Sequence, residues 1–371
     1  MQVEATLARP LGAIRSARIS AHRDPVRTGI WAAALGLAVI AALVRHGFLL
    51  DTAGTTWPAF LTLGAVIAGG LSLDRVGLFR LLARLVIPAA APRWLVTAGV
   101  LGFTALLSGL VNLDVAVVVA VPVTLVVARE RGLPAGRLVV AAALTANATS
   151  FLLPTSNLTT LLVLDHAPLG AWAYLRDSWL AWLLVAVLTV GALSALTHSS
   201  RSTDTAAGAG GEGTGGGLAR PLTRSRRDGS GASASAPAAS LGQGALALLD
   251  LVPMFVAAAA IRALLGGGVI LGGAWLGQLG MASGLAAGAN NLPAAAAVVA
   301  SLGPSIWAAV LGLAIGPNLL LTGSVASLIS RRIARDQGVG LGAIRFSLVG
   351  AAMLPLQLAI AAIGLHVTGA T

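Results

Sequence analysis

Residues 108–120 read SGLVNLDVAVVVA, and residues 287–299 read AGANNLPAAAAVV. Each places asparagine in the middle of an apolar run: Asn112 with Asp114 in the first, Asn290 with Asn291 in the second. Aligned without gaps, Asn112 falls on Asn291 and Asp114 on Pro293. Each stretch is followed by a second polar interruption, NATSFLLPTSNLTTLL at residues 147–162 and IGPNLLLTGSVASLI at residues 315–329. Two halves that each carry two interrupted apolar segments match the sequence pattern of a secondary transporter, whose site lies where the repeats meet.

Composition sets the solvent. Of 371 residues, 57% are hydrophobic and only 10% are charged, against about 25% charged in soluble domains. Apolar runs recur at about 20 residues, the length of a membrane-crossing helix, and they lack the alternation of a transmembrane β-barrel. The net charge of +11 lies in tails and short loops without interleaved aromatics. It therefore reads as the basic excess of cytoplasmic loops and not as a nucleic-acid surface. The absence of cysteine removes disulfides, thiolate metal sites and thiol chemistry. No His–acid pair, nucleophile–base arrangement, metal cluster or phosphate loop announces an enzyme or a cofactor.

The distribution of charge gives a topology. Residues 1–28 form a basic tail, expected in the cytoplasm of a plasma-membrane protein, and 29–56 a first span with its outer loop. Residues 57–197 form a first repeat. Within it, 94–128 carry a single charge, Asp114, between basic ends that include Arg93 and Arg131. Thirty-five residues make about 50 Å of helix, too long for one crossing of a roughly 30 Å core, so this segment should enter and return as a re-entrant hairpin. A helix over 138–164 is broken near Asn147–Asn157, and another at 179–196 crosses back. Residues 198–244, rich in Gly, Ser and Arg, read as a flexible basic linker. Residues 245–366 repeat the plan upside down, with a hairpin at 269–303 and a helix at 305–330 broken at Asn318 and Thr322–Ser324 and stopped by Arg331, Arg332 and Arg335. The expectation is an all-α polytopic membrane protein built from two inverted-topology repeats.

Broken helices survive in a bilayer only where protein or a water-filled cavity satisfies the freed backbone. They expose helix termini that attract anions or cations. Asn112, Asn147, Thr149, Ser150, Thr155, Ser156, Asn157, Asn290, Asn291, Asn318, Thr322 and Ser324 offer neutral donors and acceptors suited to a small polyhydroxylated or oxyanionic solute. A single Ser or Thr among them also reads as back-bonding within a helix, and an Asn as a link between helices. Asp114 is an ionisable group inside an apolar segment, a functional position by default: it can carry a proton or balance a sodium ion, and it can also cap the returning helix.

The runs LVNLDVAVVVAVPVTLV, ANATSFLLPTSNLTTLLV, NNLPA and GPNLLLTGSVASLI resemble the arsenical pump membrane proteins, arsenite/antimonite permeases of the ion transporter superfamily, which also holds sodium/proton antiporters and dicarboxylate or citrate carriers. The resemblance implies a site that includes Asn112, Asp114, Ser156, Asn157, Asn291, Thr322 and Ser324, proton-coupled arsenite efflux, and as alternatives a sodium-coupled anion carrier, with sodium near Asn112, Asp114 and Asn157, or sodium/proton exchange. A channel-like or non-transporting scaffold is the reading from another class. A homodimer is compatible with the plan. Leu113 separates Asn112 from Asp114, whereas many arsenite permeases have the two adjacent, and the chain is compact for that family.

The hairpin reading has a direct check. Cysteine placed singly at Arg93 or at Arg131, in a chain with no other cysteine, should react with an impermeant thiol reagent from the same face of the membrane. Labelling from opposite faces would contradict the hairpin.

Overall fold

A computed structural model describes residues 28–45, 91–167, 169–209, 252–264, 274–299 and 306–370, with a few isolated positions besides. The first repeat opens with an apolar run at 57–73, read from the sequence as a short second span, and a basic stretch after it with Arg75, Arg80 and Arg84; these, most of the 1–28 tail and most of the linker lie outside the described residues. Among the described residues there are twelve α-helices and no strand. Four are long and apolar enough to cross a membrane: α1 (Thr28–Arg45), α2 (Arg93–Leu110), α6 (Ala171–Ala209) and α12 (Ala343–Val367). The others are α3 (Leu113–Glu130), α4 (Ala135–Ala148), α5 (Leu158–Asp165), α7 (Val252–Leu264), α8 (Trp275–Ala289), α9 (Asn291–Val298), α10 (Ile306–Ile315) and α11 (Val325–Asp336).

The outward surface supports a bilayer as solvent. Val187 in the middle of α6 and Leu356 in the middle of α12 are 64% and 55% exposed. Contiguous apolar surface of that kind is unstable in water and at ease in hydrocarbon. Inside, one core joins residues of α2 to α12. The Val115–Val119 run, β-branched and a weak helix former in water, is helical because an apolar setting leaves intrasegment hydrogen bonds as its only partners.

The chain turns back at Val111–Asn112, so α2 and α3 pack as an antiparallel pair. The Arg131 guanidinium donates to the Ala91 carbonyl at 3.4 Å, which closes the two ends. At the same end, Arg129 donates to the Gln337 carbonyl just past α11 at 3.0 Å. Gly132 and Gly338, with φ of 59° and 75°, end α3 and α11 there; left-handed residues of this kind let the next amide reach back to a free carbonyl. The opposite end holds the start of α6 and the end of α12, joined where Thr368 Oγ1 donates to the Asp177 carbonyl at 2.8 Å.

Two boundaries differ from expectation. α11 does not stop at Arg331 but runs to Asp336. Arginine is a good helix former, and its charge suits a helix C-terminus. α6 does not end at 196; it continues to Ala209, inside the expected linker. Extending an existing helix requires no new nucleation, so composition rich in Ser and Thr does not stop it.

Small residues set the closest approaches. A Cβ on Gly350 of α12 would collide with the Asn318 backbone, and one on Gly364 with the Ala181 backbone. α12 thus leans directly on α6 and on the unwound segment at 316–319, the packing that glycine permits between membrane helices. Gly350→Ala should therefore lower the thermal midpoint of the purified protein, by an overpacking cost of about 1–3 kcal/mol. Gly102→Ala, with nothing within 4 Å of its added carbon, should hold or raise it. Equal midpoints for the two variants would contradict this packing.

Candidate functional site

Four helices begin at the centre of the molecule, and four side chains cap them. At α3, Asn112 accepts from the Asp114 amide at 2.9 Å and its own amide donates to the Thr155 carbonyl at 3.1 Å. At α9, Asn290 accepts from the Leu292 amide at 3.3 Å and donates to the Thr322 carbonyl at 2.9 Å. Two residues beyond Thr155, Asn157 caps α5 by accepting from Thr159 N–H at 3.1 Å. Two residues beyond Thr322, Ser324 caps α11 by accepting from Ala326 N–H at 3.1 Å. The same linkage of hairpin asparagine, unwound carbonyl and second cap therefore occurs twice.

This geometry corrects the register of the gapless alignment by one residue. Asn112 matches Asn290, not Asn291, and Asp114 matches Leu292, not Pro293. The match is not perfect in backbone conformation. Asn112 is extended, with φ −174°, whereas Asn290 has φ 75°, the one positive φ outside glycine among the described residues. Such strain persists only where the surroundings hold it, and here two side-chain hydrogen bonds do.

The first residue of every one of these helices, Leu113, Leu158, Asn291 and Val325, lines a single cavity of about 20 Å³. Asp114, Asn157, Thr159, Leu292 and Ser324 complete the lining. The volume is that of a water-sized occupant. Among the described residues, no basic side chain lines it. A helix start presents unpaired N–H groups and about half a positive elementary charge, so the cavity is the meeting point of four such ends and one carboxyl group. α3 packs against α11, and α5 against α9, which places the two halves on both sides of it.

Of the residues expected at a site, Asp114, Asn157, Asn291 and Ser324 share this cavity. Asn112 and Asn290 stand one residue behind it as caps, and Thr155 and Thr322 meet those caps through their carbonyls. The structure gives the others different tasks. Thr149 back-bonds to the Thr145 carbonyl at 2.8 Å. Ser156 donates to the Leu153 carbonyl at 2.6 Å. Ser150 donates to the Asn147 carbonyl at 2.9 Å and receives from Asn157 Nδ2 at 3.0 Å.

Asn147 and Asn318 form a separate buried network. Asn147 Nδ2 donates to Asn318 Oδ1 at 3.1 Å and to Ser327 Oγ at 3.0 Å. Asn318 Nδ2 donates to the Leu144 carbonyl at 3.0 Å and faces Gln357 Oε1 at 3.4 Å, and Gln357 donates to Thr189 Oγ1 at 2.9 Å. This chain of amides ties the two broken helices to α6 and α12.

Several participants were not singled out in the sequence. Thr159 lines the cavity with its buried hydroxyl unpartnered; its position two residues after a capping asparagine was the available signal. Trp182 Nε1 donates to the Thr149 carbonyl at 2.8 Å, Tyr174 to Phe151 at 2.7 Å, Ser178 to Leu152 at 3.0 Å, and Ser108 to Ala146 at 2.6 Å. Only tertiary contact brings these donors to their acceptors, those of α6 to the stretch after α4 and Ser108 of α2 to the last turn of α4, and nothing in their local sequence marks them.

No curated protein matches the chain. The profile of the citrate transporter family, CitMHS, matches residues 23–362, a span that includes every helix start described above. With its all-helical bundle and outward apolar surface, the chain belongs to the citrate transporter family, a group of multi-pass secondary transporters within the ion transporter superfamily.

Proposed function

We propose that this protein carries a small carboxylate anion of the citrate type through the cavity where α3, α5, α9 and α11 begin, coupled to a proton or sodium ion held at Asp114. The observation that carries this reading is the convergence of four helix starts on one volume. At about +0.5 each, they supply roughly +2 in sum, against −1 from an ionised Asp114. Taking a cation or proton at Asp114 leaves the field more positive and favours entry of the anion. Binding of the two is then reciprocal, as coupling requires.

The cavity is too small for a tricarboxylate as it stands, so loading requires the α3–α11 and α5–α9 pairs to part. The matched caps support two inverted repeats, with hairpins 94–128 and 269–303 re-entrant and the halves rocking about the site. In this reading the end that carries Arg129, Arg131 and Arg335 faces the cytoplasm, by the excess of basic residues, and the chain lies in the plasma membrane.

One observation favours a second solute. Among the described residues the lining carries amides and hydroxyls but no guanidinium, which suits an uncharged trihydroxide such as arsenite, in line with the resemblance to arsenite permeases; efflux coupled to protons would follow.

Proteoliposomes with proton and sodium gradients imposed separately decide between these. Saturable, gradient-driven citrate uptake is expected, and Asp114→Asn should abolish the gradient dependence while leaving exchange across the membrane. Arsenite flux that citrate does not inhibit would establish the second reading. Flux that neither saturates nor responds to either gradient would remove both.

Asn157→Ala tests the helix start itself. Loss of this cap should cost about 1 kcal/mol of stability and raise the KM for the solute, whereas Thr149→Ala, whose hydroxyl only back-bonds, should leave KM unchanged. An unchanged KM in Asn157→Ala would contradict the assignment of the cavity.

A further inference from the structure

A second cavity, of about 250 Å³, lies between α4, α6 and α12. Arg137 in the first turn of α4 and Arg345 in the first turn of α12 line it, together with the hydroxyl-bearing Thr197 of α6. Its remaining wall is apolar and includes Val140, Leu193 and Val349. Among the described residues, no acidic side chain lines it. The two arginines, far apart in sequence, meet because Gly136 packs on the Gly340 carbonyl, where an added Cβ would stand only 3.1 Å away. That contact sets the start of α4 against the loop that leads into α12.

The position is the basic end of the bundle, where α4 and α12 both begin. Two helix starts add their positive ends to the two guanidiniums. Beside them the surface turns apolar: Ile344 and Leu348 of α12 and Leu196 of α6 are 78%, 67% and 50% exposed. The cavity thus has a cationic rim, an apolar wall, and hydrocarbon-facing side chains around its mouth. Arginine at a helix end also reaches toward the membrane interface without any ligand. That reading accounts for one exposed arginine, but not for two from separate helices sharing one cavity; the Thr197 hydroxyl back-bonds to the Leu193 carbonyl at 2.7 Å and forms part of the wall.

We infer that this cavity holds the phosphate headgroup of an anionic phospholipid from the leaflet at the basic end, with an acyl chain running outward along Leu196 and Leu348. Guanidinium binds phosphate oxygens through paired hydrogen bonds, and basic pockets between membrane helices on the cytoplasmic side suit such headgroups. Free phosphate shares the headgroup chemistry, but it would stay hydrated and gain nothing from the apolar wall. The site is distinct from the central cavity, and the inference does not depend on which solute that cavity carries.

The test uses the full chain, purified in a neutral detergent, with its thermal midpoint read on adding phosphatidylglycerol, phosphatidylcholine or inorganic phosphate. Ligand that binds only the folded protein raises the midpoint. Phosphatidylglycerol should raise it by a few degrees, and the other two should not. The rise should vanish in R137Q/R345Q and in Val349→Trp, which fills the cavity and leaves both arginines in place; if the double variant does not fold, Val349→Trp alone carries the test. Native mass spectrometry should show phosphatidylglycerol retained by the wild type and lost from Val349→Trp. An equal rise with phosphatidylcholine, the same rise with inorganic phosphate, or a rise that persists in Val349→Trp would each overturn the inference.

Discussion

A peptide group that leaves its helix inside an apolar bundle must find another hydrogen-bond partner, and the architecture of this protein follows from that requirement. Residues 149–157 leave the α-helix, with one 3-10 turn at Pro154–Ser156, and Thr149–Leu152, Ser156 and Asn157 among them are buried. Leaving even one of these polar groups unpaired costs several kcal/mol in hydrocarbon. The carbonyls of Thr149, Phe151, Leu152, Leu153 and Thr155 receive side-chain donors from Trp182, Tyr174, Ser178, Ser156 and Asn112. α2, α3 and α6 are therefore held around the break by the chemistry of the break itself. The second break relies more on its own turns and on glycine. Leu320 and Gly323 amides bond back to Pro317 and Leu320, and Gly316 and Gly323 pack where a side chain would collide with the Ser283 or Pro317 backbone.

Satisfying the breaks creates the site. A helix that stops and restarts leaves a capped N-terminus, and four of these meet at one point. Each cap takes one amide; the side-chain amides of Asn112 and Asn290 reach across to the breaks at Thr155 and Thr322, and that of Asn157 reaches back to Ser150 within its own break. The result is a positive, water-sized volume bounded by rigid helix ends, with a single acidic group at Asp114. At the matched position the second half has Leu292, so the two halves are alike in their capping hydrogen bonds and unlike in charge. In the proposed mechanism that asymmetry gives one place for a cation or proton and leaves the remaining helix starts for an anion.

Much of this was legible in the sequence because the chemistry is local. Asn112, Asn157, Asn290 and Ser324 stood out as polar groups at breaks in apolar runs, but as solute contacts or links between helices; the capping role was read at Asp114, whereas the structure gives it to Asn112, which accepts from the Asp114 amide, since asparagine and serine cap as well as aspartate does. The pairing of the two hairpins slipped by one because Asn290 and Asn291 are adjacent, and a gapless comparison cannot choose between them. The rule that a cap serves the amide two residues on chooses Asn290, since Asp114 and Leu292 are the residues so served. For Thr149, Ser150 and Ser156 the sequence left back-bonding and solute contact both open, since a hydroxyl within reach of its own preceding turn looks the same in sequence as one aimed at a solute; the structure shows back-bonding. Gln357, Thr189, Tyr174 and Trp182 were not legible at all. Each is a single polar group on a long apolar helix, and only the packing of α6 and α12 against the breaks gives it a partner.

The most direct test of the account is a high-resolution cryo-electron microscopy map of the protein in lipid with citrate present. The account predicts solute density bounded by the starts of α3, α5, α9 and α11, within hydrogen-bond distance of Asn157 and Ser324, with the four helix ends further apart than in the solute-free protein. Citrate density elsewhere, with the four helix starts still closed on a water-sized volume, would contradict it.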